Sequence, residues 1–392
     1  MRLRWAGYAV AFAVILGAGK RAGAQLKRDC DVLVAKAVVR AYGIAWSPDN
    51  SRAPLVSYAP GQAAAVGWVL WEAGKITHES RYTRAAIDVA RGMANGQEAG
   101  GKIPDTVRFG MNDDRGQDTP QFIPSRASTC AALGLLLTIL HDSPQPDPRL
   151  RSCALLAARW LSRQQTEHGA WVVQDTTQAQ ESRVIRLDSP DWRNSTLAML
   201  LASDVLKNQL YSNQAHNAAQ MLLDLHLPQS QLVGAGGWTG AYGLDKTPRG
   251  DIPDAPLCLD TLATRYCMQT LLASAVCQGN IGALERVHLT CKTLRGIRDA
   301  DGTFYRYVQL SGRPSEPMGL ASPQDALLPG VMHTVEELDA VGLSAYSRSM
   351  DAHRGIDYDL ARVLSGAGDD LFSSSAANLE TMAASLRQAI VP

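Results

Sequence analysis

Three side chains stand out as able to handle an anionic ligand: Asp191, Arg249 and Arg306. Arg249 and Arg306 each follow a glycine and aromatic stretch, and a planar guanidinium fork binds a carboxylate through two hydrogen bonds, which suits an anionic sugar. Asp191, in Ser189-Pro190-Asp191-Trp192-Arg193, stands at the mouth of a helical pattern, where it reads either as an N-cap or as a carboxylate facing a cleft. Asp254 and Asp260 are placed in the same way before the next such pattern, and Asp188 lies across Pro190 from Asp191. The bland reading of the arginines is an ion pair with Asp245, Asp251 or Asp301. Trp171, Trp192, Trp238, Tyr242 and Tyr305 are either loop core or flat platforms for sugar rings, and sequence leaves both open. Asn112 to Asp118 is an oxygen-rich loop that either holds a hard cation or is simply solvated.

No nucleophile elbow, phosphate-binding loop, dinucleotide fingerprint or His-Glu-x-x-His motif is present. Lys+Arg and Asp+Glu balance at 38 each, so no global field favours nucleic acid or an anionic membrane. Recognition of charge must be local.

The elements that position these residues repeat. Gly101, Gly169, Gly237 and Gly302 stand 68, 68 and 65 residues apart, with two helical patterns in each interval. The helices are expected over 62–73 and 81–93, 126–140 and 149–164, 194–207 and 213–225, and 257–277 and 283–297. The first of each pair is apolar around its circumference, as an inner helix is, and the second is amphipathic. A further helix is expected over 31–41, loops over 46–57 and 103–124, a short strand over 305–308, and tail helices over 325–343 and 369–390. This pattern predicts a mainly α chain, an α/α toroid of repeated hairpins with its glycine and aromatic loops on one rim.

Met1 to Arg4 is basic, Trp5 to Gly19 is apolar, and Ala22-Gly23-Ala24 offers a small-x-small cleavage site. Residues 1–24 are therefore expected to be a signal peptide, 25–345 the toroid, and 346–392 a tail that is partly helical or flexible. The protein is expected in the periplasm or secreted. The seven cysteines contain no Cys-x-x-Cys pair and fall mostly in apolar helical patterns, as small buried hydrophobes do. An exported protein could still oxidise Cys130 with Cys153 or Cys277 with Cys291.

In their order the motifs resemble the pectic acid lyases, family ten of the polysaccharide lyases, over roughly Gln97 to Pro314. Gln97 to Pro104 and Gln165 to Trp171 are similar to the family's glutamine-led glycine repeats. Trp238 to Arg249 and Phe304 to Tyr307 are similar to its aromatic segments that carry arginine. The resemblance implies an exported toroid that acts on polygalacturonate by β-elimination and uses calcium. It assigns Asp191 to the metal, Arg249 to proton abstraction and Arg306 to substrate; Trp171, Trp238 and Tyr242 are the rings expected to face the sugar if they are not loop core. It departs at Pro124, where the family has the first calcium carboxylate, at Ser315 to Gly319, where an Arg-Asp-Gly is expected, and at Lys102, where the first Gly-Gly-Trp has its Trp. The partner expected is an acidic, pectin-like polysaccharide bound by a monomer, with no nucleic acid and no membrane after signal removal. A non-catalytic glycan-binding toroid is the alternative. Gln165-x-x-x-Gly169-x-Trp171 also fits the repeat of isoprenoid cyclases, but no Asp-x-Asp-Asp acid motif accompanies it.

Overall fold

A computed structural model describes residues 19–40, 43–45, 55–110, 126–175, 182–227, 236–252, 255–297, 304–308, 331–332 and 376–390. In chain order the elements are α1 (Gly19–Ala35), β1 (Val38–Arg40), β2 (Gly43–Ala45), β3 (Leu55–Tyr58), α2 (Pro60–Thr77), α3 (Ser80–Gly96) and β4 (Val107–Gly110). There follow α4 (Ala127–Asp142), α5 (Pro148–Ser162), β5 (Val173–Asp175), β6 (Ser182–Arg186), α6 (Asp191–Leu206), α7 (Gln209–Leu225), β7 (Ala241–Tyr242) and β8 (Leu259–Asp260). The last are α8 (Thr261–Gln278), α9 (Ile281–Gly296), β9 (Tyr307–Val308) and α10 (Ala376–Ile390). The chain is mainly α, and the four expected hairpins lie within a few residues of their places. Two compact units divide it: residues 1–121, 125–161 and 371–392 in one, 122–124 and 162–370 in the other.

In the first unit α2 and α4 are buried nearly all round, Trp68 to Gly74 and Ser128 to Leu140 giving unbroken runs. They pack closely because Gly67 leaves room: a Cβ there would stand 2.7 Å from Leu135. α3 and α5 bury single faces, such as Tyr82, Ala86, Val89 and Met93. α1 buries Leu26, Cys30 and Leu33 at helical spacing. It also carries the buried Asp29, paired with Arg387 of α10 at 3.0 Å. α1 thus starts earlier than the helix expected at 31–41 and ends at Ala35, where β1 and β2 form a hairpin. β3 pairs antiparallel with β4, Leu55 opposite Gly110 and Tyr58 opposite Val107, so two segments expected to be loops contain a strand each. Their partners are distant in sequence, which period alone cannot reveal.

In the second unit α6 and α8 take the inner places and α7 and α9 the amphipathic ones. β5, β6 and β7 form a three-stranded antiparallel sheet, with Val173 opposite Val184 and Ile185 opposite Tyr242. β8 pairs with β9, placing Asp260 opposite Tyr307. These short strands were not anticipated apart from the last.

The recurring glycine loops have one physical cause. Gln97 Nε2 donates to the carbonyls of Gly101 (2.9 Å) and Cys153 (3.0 Å). Gln165 Nε2 repeats this on Gly169 (3.0 Å) and Gln214 (2.9 Å). Each glutamine therefore closes its own loop and ties it to the next amphipathic helix. Gly101 and Gly169 sit at φ +96° and +86°, where a side chain is strained, and a Cβ would meet the carbonyl oxygens of Leu156 at 2.2 Å and Asn217 at 2.6 Å. Buried threonines complete the device from the inner helices. Thr129 Oγ1 accepts from the Ile103 amide, Thr196 Oγ1 from Trp171 Nε1 and Thr264 Oγ1 from the Trp238 amide.

All seven cysteines are buried, and the structure joins none of them in a disulfide. Burial pushes the thiols of Cys30, Cys153 and Cys258 up to about 12, so they are inert hydrophobes rather than nucleophiles. Among the described residues no helix is long and apolar enough to cross a membrane. The loop at 112–118, Pro124, Asp254, the Gly302 turn and residues 315–319 lie outside the described residues, and of the tail helix expected at 325–343 only Val331 and Met332 are described, both helical and buried.

Candidate functional site

The second unit gathers charge where its small sheets meet. Arg186, the last residue of β6, grips Asp188 with two hydrogen bonds of 2.8 Å. The backbone between them is fixed by the Leu187 amide donating to the Gly240 carbonyl at 2.8 Å. From the other side, Arg306 Nη2 donates to Asp188 Oδ2 at 3.3 Å. Arg306 Nε lies 3.7 Å from Asp260 Oδ2, too far for a hydrogen bond. Both of those atoms are buried and have no hydrogen-bond partner.

Asp260 is the N-cap of α8: its Oδ1 accepts from the amides of Leu262 (2.9 Å) and Ala263 (3.1 Å). Its own amide donates to the Trp238 carbonyl at 2.9 Å, and the Thr261 amide donates to the Arg306 carbonyl at 2.8 Å. The helix start and the β9 strand therefore hold each other. Asp260 is wholly buried, and that desolvation, reinforced by the charge of Asp188, pushes its carboxyl up to about 7 against the opposing pull of Arg306 and the two amides. Gly240 makes the packing possible, since a Cβ there would lie 3.1 Å from Asp260 Oδ2 and 3.5 Å from Asp188 Cβ.

Two cations thus stand over two carboxylates. The carboxylates are sealed, with Asp188 and Asp260 side chains 4% and 1% exposed, while Arg186 and Arg306 keep about a quarter of theirs at the surface. The inner atoms of both guanidinium groups are thus turned to carboxylates. Arg306 also stacks on Tyr307, its Cζ 4.8 Å from the ring centroid.

The other expected site residues are placed differently. Asp191 is the first residue of α6 rather than its cap; the capping position is Pro190, which makes no side-chain bond. The Asp191 carboxylate still lies in the first turn, where it favours the helix dipole. Arg249 pairs with Asp251, its Nε 2.6 Å from Oδ1 and its Nη2 2.5 Å from Oδ2, which is one of the ion pairs open to it in the sequence. Trp171, Trp238 and Tyr242 are 1%, 0% and 1% exposed. Trp238 Nε1 donates to the Leu222 carbonyl at 2.8 Å, its indole meets His226 edge-on at 4.7 Å, and the Tyr242 hydroxyl accepts from the Thr239 amide at 3.2 Å. Rings so enclosed form loop core and present no face to a ligand. Tyr305 remains exposed at 36%.

Sequence reasoning passed over Arg186, for which no motif gave a signal, and treated Asp188 only by its distance from Asp191. It also passed over Thr129, Thr196 and Thr264, which did carry one: they stand 67 and 68 residues apart, the period of the glycines.

The calcium expected at Asp191 would draw on the 112–118 loop, which lies outside the described residues. Among the described residues no group of three or more His, Cys, Asp or Glu converges. Asp188 is engaged by two guanidinium groups and Asp260 by a helix terminus, and a dication beside Arg186 and Arg306 would be repelled.

No protein-family model matches the chain, and no curated protein matches it in sequence. Solved structures do. A D-mannose isomerase aligns over 93% of this chain and 97% of its own at TM-score 0.56 and 11% identity. A family 105 glycoside hydrolase from C. acetobutylicum ATCC 824 aligns over 93% and 99% at TM-score 0.51 and 10% identity. The unsaturated glucuronyl hydrolase of Bacillus sp. GL1, responsible for the degradation of glycosaminoglycan, aligns over 92% and 96% at TM-score 0.50 and 12% identity. At such identities the likeness shows the fold alone, and that fold is the α/α toroid of repeated helical hairpins.

Proposed function

We propose that this protein acts on a polysaccharide and that its ligand is an acidic glycan of the polygalacturonate type, bound through a uronate carboxylate at Arg306. One observation carries this reading: Arg306 is held between the buried Asp188 and Asp260 with about a quarter of its side chain at the surface. A guanidinium oriented in advance loses little freedom on meeting a carboxylate. The Bacillus enzyme of the same fold degrades a glycosaminoglycan, which supports an acidic substrate class here. The basic and apolar amino terminus supports export, where such polysaccharides are met.

The finer proposal is cleavage by β-elimination. A base removes the proton from the ring carbon beside the carboxylate, the electron pair forms the ring double bond, and the glycosidic oxygen departs with a proton. Arginines that neutralise the carboxylate acidify that proton. The family resemblance gives the base as Arg249 and adds calcium at Asp191. The Arg249–Asp251 pair favours the charged guanidinium, which is not a base, and so favours the second reading, a glycan-binding toroid without chemistry.

The test is ultraviolet detection of unsaturated uronate from polygalacturonate, with and without calcium, beside calorimetric binding. Product that Arg249→Ala abolishes supports elimination. Binding that Arg306→Ala abolishes, with no product, supports the binding protein. Absence of both product and binding overturns the proposal.

A further inference from the structure

The Asp260 carboxyl is an unusual group to bury. Of its two oxygens, Oδ1 is occupied by two amides of α8, and Oδ2 has no hydrogen-bond partner although it is enclosed. The groups that face it are Arg306 just before β9 and Tyr307 in it, Asp188 beyond β6, Cys258 before β8 and Cys267 of α8. Arg186, in turn, is spent on Asp188. The charges of Arg186, Arg306, Asp188 and Asp260 sum to zero. A carboxylate arriving at Arg306 would leave this enclosed set with a net negative charge, which a low-dielectric site penalises heavily.

We infer that Asp260 is the positioning residue that aims Arg306, and that a uronate carboxylate binding there is balanced by one proton taken up at the Asp260 carboxyl. The inference rests on the acidic-glycan reading of the site. The proton comes from solvent and settles on Oδ2, while Oδ1 keeps its two amides and the helix its cap. Arg306, no longer drawn toward an ionised Asp260, is released to the ligand. Neutral sugars would bring no charge and draw no proton, so the coupling also discriminates in favour of uronates. Burial already places the carboxyl near the pH at which such an exchange is easy, pushed up to about 7. Tyr307, Cys258 and Cys267 are all displaced upward, Tyr307 and Cys258 to about 12, so none of them takes part near neutrality.

The experiment is calorimetric titration of the full chain with trigalacturonic acid, in two buffers of different ionisation heat, from about pH 6 to about pH 8. Affinity should fall about tenfold over that range, with nearly one proton taken up per ligand at the alkaline end. Asp260→Asn keeps an N-cap oxygen and should bind with affinity independent of pH and without proton uptake. Wild-type binding that is flat with pH overturns the inference and leaves the acidic-glycan reading standing. A slope that survives in Asp260→Asn does the same. No binding at any pH overturns both. The wild-type proton count decides the matter even where the variant does not fold.

Discussion

Arg306 Nη2 and Asp188 Oδ2 lie 3.3 Å apart although 118 residues separate them in the chain. The contact joins the turn after β6 to the residue before β9, and it leaves about a quarter of the Arg306 side chain at the surface. Replacing the fork with an ammonium should keep the charge and lose the geometry. Arg306→Lys is expected to weaken binding of polygalacturonate about tenfold, and Arg306→Ala about a hundredfold, measured by calorimetry.

Gly240 has no side chain because Asp260 Oδ2, Ala255 Cβ and Asp188 Cβ would stand 3.1, 3.2 and 3.5 Å from a Cβ there. Gly240→Ala should push the two carboxylates off their partners at a modest cost in folding, about 1 kcal/mol. Ligand affinity should fall further than the melting temperature suggests. An affinity equal to that of the wild type would show that Asp260 does not position Arg306.

The glutamine clamps and left-handed glycines make a stability prediction that is independent of function. Gly101→Ala and Gly169→Ala force a Cβ onto a backbone oxygen and should each cost more than about 2 kcal/mol, whereas Gly100→Ala, with open space around it, should be silent. Gln165→Ala strands the carbonyls of Gly169 and Gln214 and should cost about 2 kcal/mol. Urea midpoints on the four variants check this. Equal midpoints for the alanines at 100 and 101 would remove the steric argument.

Two buried groups set opposite dependences of stability on pH. Burial, with Arg286 close by, lowers His226 to about 3, below its ordinary 6.5. Its contribution is therefore whole above pH 6.5 and is lost as pH falls toward 3. Asp260 is raised from 3.8 to about 7, so its contribution is whole at low pH and is lost as pH rises through that range. Each slope can reach about 1.4 kcal/mol per pH unit, and between them they flatten the wild-type curve. Relative to wild type, Asp260→Asn should gain stability as pH rises from about 4 to about 7, and His226→Gln should gain as pH falls below about 6.5. Parallel curves for wild type and both variants would show that neither group titrates as placed.

How much of this could be read from residues alone differs between scaffold and site. The near-constant spacing of Gly101, Gly169 and Gly237 gave the repeat, and the contrast between helices apolar all round and helices apolar on one face gave the inner and outer places. Both are local properties, since helical period and glycine conformation are set within a few residues. Asp191 was placed one residue out, at the first turn instead of the cap, because Pro190 closes the turn in its stead. Arg249 showed its ion-pair partner, Asp251, two positions away. The sequence offered Asp245, Asp251 and Asp301 for that pair, and the structure chose the one two positions away.

Burial and assembly were decided elsewhere. The rings of Trp171, Trp238 and Tyr242 read equally as platforms or as core, and only packing against Thr196, Leu222 and His226 enclosed them. The pairing of β8 with β9 brought Arg306 to Asp260, and the β6 end brought Arg186 and Asp188 to both. Strand pairing across tens of residues leaves no periodic trace in either partner, because hydrogen bonds between backbones do not depend on which side chains they carry. The sequence by itself thus determined a repeating helical scaffold with arginines at its loops. The tertiary structure decided which arginine meets which carboxylate, and it buried the carboxyl of the α8 helix cap, Asp260, among them.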